Sequence, residues 1–197
     1  MSPLGQLGRR LVAACPFLLL FGAAALASAL PDAFVLTREG LANGEAWRLW
    51  TGHLVHASWA HFLLDVGAGL VLLFLAREWK FLLWAAPVAS VAILLAEPGL
   101  EGYCGLSGLL HGWTILAAAR VAADRRSGAA RLIAAALALG VLAKAAYEAT
   151  LGISIFTTDA EMGVATVHAA HLIGALLGVV GWACGLLRLP RLAIARG

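Results

Sequence analysis

What most limits the fold of this chain is the length of its apolar runs. Six of them lie at 11–30, 58–76, 81–96, 104–123, 130–149 and 164–187. An apolar segment facing lipid must satisfy its backbone internally, so each reads as a helix. About 20 helical residues cover roughly 30 Å, the thickness of a bilayer core. Apolar residues make up 62% of the 197 positions and charged residues 13%, against about 25% charge in soluble domains. Disordered, coiled-coil, collagen-like and nucleic-acid-binding chains are excluded by the same balance. The sequence therefore predicts an all-α, polytopic membrane protein: one domain over 1–197, built as a six-transmembrane-helix bundle. No fixed-period repeat, low-complexity tract or Ser/Pro linker interrupts it.

Charge sets the expected orientation. Arg9, Arg10, Arg77, Lys80, Arg120, Arg125, Arg126, Arg131, Arg188, Arg191 and Arg196 fall on the two tails and on the 2–3 and 4–5 turns. The opposite loops carry Asp32, Glu39, Glu45, Glu97, Glu101, Asp159 and Glu161, with only Arg38 and Arg48 as cations. Positive residues stay inside, so both termini are expected in the cytoplasm and the long loop 31–57 outside. The first run resembles a secretory signal, with Arg9-Arg10 before it and Ala27-Ser28-Ala29 after it. Retaining it gives the even number of spans that the charges require. Cys15, Cys104 and Cys184 are an odd, scattered set with no CxxC pair, and read as small packing residues. Cys104 stands out because it adjoins the motif below.

Ionisable residues inside spans are costly and are functional candidates by default. His61 and Asp65, Ser107 and His111, Lys144 and Glu148 are each spaced i,i+4, and His168 and His171 i,i+3, so each pair shares a helix face. For Lys144 and Glu148 the plainest reading is a structural ion pair. Three polar pairs on three other helices, all towards the outer side, exceed what interhelical hydrogen bonding alone needs. Ser107 sits in Gly105-Leu106-Ser107-Gly108, where glycines leave amide N–H groups open near the hydroxyl. A serine becomes nucleophilic when a positioned base takes its proton, and a histidine on another helix is suited to that role. Exposed amides, with a donor from the second span, could then hold an oxyanion.

Four blocks in order resemble the rhomboid family of intramembrane serine proteases. Trp47-Arg48 is similar to its WR motif, and His56 to His61 followed by Asp65 to its HxxxxHxxxN block. Gly105-Leu106-Ser107-Gly108 matches GxSG, and Ala170-His171 continuing to Gly174 and Gly178 matches AHxxGxxxG. These blocks span residues 47–182. The run GLSGLLHG, with His111 where rhomboids usually have tyrosine, resembles the rhombosortase branch.

The resemblance implies a Ser107–His171 dyad that needs no cofactor or metal. His61, Gly105, Leu106 and the Ser107 N–H would serve the oxyanion. Gly108, Gly174 and Gly178 would allow close helix approach. His111 would pack beneath His171, while Trp47 and Arg48 would hold the outer loop. His168 is the competing base. The client would be a membrane-anchored protein ending in Gly-Gly, an apolar helix and a basic tail, cut near the outer face of a bacterial inner membrane, with no nucleic acid involved.

Asp65 departs from the family pattern, because an ionised carboxylate only accepts hydrogen bonds where asparagine would donate. It either stays protonated and donates, or pairs with a charged His61. Three rival readings remain: a membrane zinc hydrolase, which lacks HExxH; a haem carrier with axial His61 and His171; and a non-proteolytic rhomboid-like client-binding protein.

Overall fold

The apolar runs fold as helices whose ends are set by local backbone chemistry. A computed structural model describes residues 3–75, 79–123 and 128–185, with side chains from residue 15 onward. The chain is mostly helical. The long helices are α1 (Pro3–Ala29), α5 (Trp59–Leu75), α6 (Lys80–Ala96), α7 (Ser107–Ala123), α8 (Gly128–Leu151) and α10 (His168–Ala183). Between α1 and α5 lie α2 (Pro31–Phe34), β1 (Leu36–Thr37), α3 (Arg38–Ala42), α4 (Arg48–Thr51) and a 3-10 turn at Gly52–Leu54. β2 (Gly102–Tyr103) pairs antiparallel with β1, Leu36 opposite Tyr103, and α9 (Asp159–Met162) precedes α10.

The expected fourth run starts three residues early, because Gly105 has φ +110° and cannot continue a helix. The expected sixth run likewise starts before its helix. Thr158 caps α9 through a capping box with Glu161, and Gly163 ends it in the left-handed region, so α10 begins only at His168. At the start of α5, Ser58 Oγ accepts from the His61 N–H at 3.1 Å, which satisfies one of the free amides of the first turn.

The six helices correspond to the six apolar runs, but not to six helices of full spanning length. Among the described residues, only α8 is by itself long and apolar enough to cross a membrane; α4 with its 3-10 turn passes together with α5, bent by 105° between them. Residues 15–29 of α1, with α6 and α10, are shorter apolar helices. Seventeen residues cover roughly 25 Å, the low end of the spanning range. Arg77, Arg125, Arg126, Arg188, Arg191 and Arg196, and the side chains of Arg9 and Arg10, lie outside the described residues.

Trp113, Phe81, Ile93, Leu106 and Leu109 form the centre of the core, where α6 and α7 meet. At its heart α7 and α10 touch backbone to backbone. A Cβ on Gly174 would be driven into the Gly108 carbonyl, and one on Gly178 into that of Gly112. Elsewhere large apolar side chains face outward along the long helices, among them Leu19, Leu63, Phe74, Leu95, Leu132 and Trp182. All three cysteines are free.

Candidate active site

Ser107 is the first residue of α7, delivered there by the turn at Gly105. That turn has no room for a side chain, since a Cβ on Gly105 would lie 2.6 Å from His61 Nε2. Across the α7–α10 contact, His171 Nε2 lies 3.0 Å from Ser107 Oγ. The glycines that bring the two backbones together thus set the distance between these side chains.

The ring of His171 is held from behind. Its Nδ1 lies 2.8 Å from Glu148 Oε2 on α8, and that carboxylate is 1% exposed. A carboxylate accepts only, so Nδ1 carries the proton and Nε2 turns its lone pair towards the serine. Glu148 is fixed in turn by the Lys144 ammonium at 2.6 Å and, through Oε1, by the Ile155 N–H at 2.9 Å. Lys144 Nζ reaches His111 Nε2 at 3.2 Å, and His111 Nδ1 donates to the Ser107 carbonyl at 2.7 Å. The rings of His111 and His171 stack 4.4 Å apart at 17°.

The expected structural ion pair is therefore present but is not isolated. Glu148 makes the expected dyad a Ser107–His171–Glu148 triad. The sequence signal for it was weak: an i,i+4 partner places Glu148 on a face of α8 without saying which helix that face meets.

The second departure concerns the oxyanion donors. Asp65 Oδ2 accepts from the Leu106 N–H at 2.8 Å and the Ser107 N–H at 2.9 Å. Those amides were expected to be open, and a carboxylate oxygen occupies them. They do converge on one anionic oxygen, which is what an oxyanion site requires. His61 Nε2 lies 3.3 Å from the same oxygen and His56 Nε2 3.5 Å. The expected Asp65–His61 pairing is thus one part of a four-partner cluster.

His168 lies apart from this arrangement, with Nε2 3.1 Å from Ser154 Oγ. Trp47 is half exposed and donates from Nε1 to the Ala33 carbonyl at 3.2 Å. Arg48 is buried and gathers the outer loop, donating to the carbonyls of Val35 at 2.6 Å and Asp32 at 2.8 Å and pairing with Glu45. Arg38 adds bonds to the carbonyls of Leu94 and Glu97. None of these three touches Ser107; they fix the loop above it. His53 supports the same loop from within, its Nε2 3.0 Å from Ser90 Oγ and 3.2 Å from the Ala86 carbonyl. Burial pushes its pKa down to about 4, so it is neutral at pH 7.

Ser107, His171, His61 and Asp65 open on a cavity of 220 Å³ that Phe156 and Met162 also line. Cys104 lines it as well. Ser58 Oγ donates to the Glu161 carbonyl at 2.9 Å, which ties α9 to the start of α5. A positioned serine, a base of fixed tautomer, a buried carboxylate and converging amides together make acyl transfer the chemistry this cavity can perform. Comparison with protein-family models, curated proteins and solved structures gives no match for the chain.

Proposed function

We propose that this chain is a serine endopeptidase of the rhomboid type, of the rhombosortase branch, acting within a membrane. The observation that carries the reading is the hydrogen-bonded line from Ser107 Oγ through His171 to Glu148. It joins three helices at one end of a cavity that also holds two converging amides. The apolar side chains facing outward along α1, α5, α6, α8 and α10 support placing all six long helices in a bilayer. The shorter ones would cross at a thinned or snorkelled boundary. Both termini are assigned to the cytoplasm and the cavity to the outer face of a bacterial inner membrane.

On this reading Ser107 Oγ attacks the scissile carbonyl carbon while its proton passes to His171 Nε2. The imidazolium that forms is stabilised by Glu148, which keeps its own proton count unchanged. The C–N bond breaks as His171 protonates the leaving amine. Water, deprotonated by the same nitrogen, then releases the acyl group. The carbonyl oxygen takes over the Leu106 and Ser107 amides, so Asp65 must withdraw towards His56 and His61 as substrate arrives. The client class is a membrane-anchored protein carrying Gly-Gly, an apolar helix and a basic tail.

The test is labelling of the full chain in detergent with a serine-directed fluorophosphonate. One label at Ser107, absent in Ser107→Ala and not lost on chelation, is expected. Labelling that persists in Ser107→Ala, or catalysis abolished by chelation and restored by zinc, would sink the proposal.

A further inference from the structure

His56 has no catalytic task in this scheme, yet its ring is buried against the most crowded carboxylate of the molecule. Its Nε2 is buried without a hydrogen-bond partner. The other nitrogen has a partner. Ser28 Oγ accepts from the His56 N–H at 3.0 Å, and it lies 3.4 Å from both the Leu54 carbonyl and His56 Nδ1. With its one proton on Leu54, the hydroxyl accepts from Nδ1–H, and the neutral ring turns a lone pair on Nε2 towards Asp65 Oδ2, 3.5 Å away. In that tautomer a metal ion can take the place that a proton on Nε2 holds in the other.

The geometry points to a divalent-cation site made by His56 Nε2, His61 Nε2 and Asp65 Oδ2. These three ligand atoms lie within 4.8 Å of one another, and all three residues are buried. The two nitrogen-to-oxygen edges are 3.5 and 3.3 Å. A tetrahedral ion with bonds of about 2.0–2.1 Å needs edges of roughly 3.3–3.4 Å. Two imidazoles and one carboxylate select a borderline first-row ion such as Zn²⁺ over Mg²⁺ or Ca²⁺. Ser28 supplies His56 with the outer hydrogen bond that fixes a ligating histidine's tautomer, while His61 Nδ1 is buried without a partner. Access is available from both sides: His56 lines a 440 Å³ cleft between α1 and α5, while His61 and Asp65 line the catalytic cavity.

The expected consequence is inhibitory. An ion on Oδ2 would pin that oxygen over the Leu106 and Ser107 amides, where a substrate carbonyl has to bind. The site takes no part in the triad, and its existence does not depend on the protease assignment.

Co²⁺ titration of the purified full chain tests it, read by the visible absorption of four-coordinate cobalt. The expected result is one Co²⁺ per chain, displaced by Zn²⁺, with the band lost in His56→Gln and kept in Glu148→Gln. The Glu148 variant matters because His111, Glu148 and His171 form a second group with ligand spacing. Ser28→Ala leaves all three ligands in place and should weaken binding about 10- to 100-fold. No band in the wild type, a band surviving in His56→Gln, or a band lost in Glu148→Gln would each overturn the site. Fluorophosphonate labelling requires no metal, so failure of the protease reading would be seen separately.

Discussion

The half of the molecule built from α7, α8 and α10 and the half built from the outer loop and the start of α5 reach the same cavity by different means. In the first, glycine lets backbones touch, and shape alone brings Ser107 within 3.0 Å of His171. In the second, side-chain hydrogen bonds from Arg48, Arg38, Trp47 and His53 to backbone carbonyls hold a loop built of short elements. Each half contributes one buried carboxylate. Glu148 is balanced by a lysine and faces one histidine; Asp65 is balanced by two amides and faces two. On the proposed function, the difference teaches that Glu148 is placed to act through His171, whereas Asp65 is placed where a substrate carbonyl would have to go.

The sharpest way to break this comparison is to neutralise each carboxylate in turn. Glu148→Gln should lower kcat by about 10⁴-fold with KM nearly unchanged, since the tautomer and the imidazolium both lose support. Retention of activity within a few-fold would reduce Glu148 to the structural pair the sequence first implied.

The next effect tests the loop half through pH. His53 has an ordinary pKa of 6.5 unfolded and about 4 folded, so protons favour the unfolded chain. Its contribution is complete above pH 6.5 and is lost as pH falls towards 4, by on the order of 3 kcal/mol. Denaturant titrations in detergent at pH 7.5 and 4.5 should therefore converge for wild type and His53→Gln at the lower pH. Parallel curves would remove His53 from the account.

Smaller still is the expected loss in Asp65→Asn, which should stay within about 10-fold of wild type while its pH–rate profile changes. An amide relieves the amides of a competing anion, and a variant as inactive as Ser107→Ala would show that Asp65 does chemistry. His168→Ala should cost least, about 3-fold or less in kcat, because His168 bonds Ser154 rather than the serine of α7. A loss equal to that of His171→Ala would exchange the two bases.

Much of this architecture was legible in the residues. The six apolar runs fold as helices, and the late starts of α7 and α10 trace to Gly105, Thr158 and Gly163. Ser107 and His171 could be paired because the blocks around them resemble the rhomboid GxSG and AHxxGxxxG motifs, which imply that pairing. Glu148 could not be joined to them, because its role depends on how α8 is rotated against α10, which i,i+4 spacing leaves open. Asp65 was tied to His61 by the same spacing. Its bonds to Leu106 and Ser107 cross 41 and 42 positions of sequence and depend on the turn at Gly105. The β1–β2 pairing covers two residues on each side, too few to leave a periodic signal.

The pair of amides beside Ser107 carries one further implication for the proposed client. In an α-helix each carbonyl oxygen accepts from the N–H four residues on, whereas the scissile oxygen would have to accept from the Leu106 and Ser107 amides that Asp65 now fills. A helical carbonyl is already engaged, while one in an extended strand is free. The step that governs turnover would then belong to the client: how often its own helix frays open near the cut. Enzyme and substrate would be matched through the substrate's local instability rather than through a wide recognition surface.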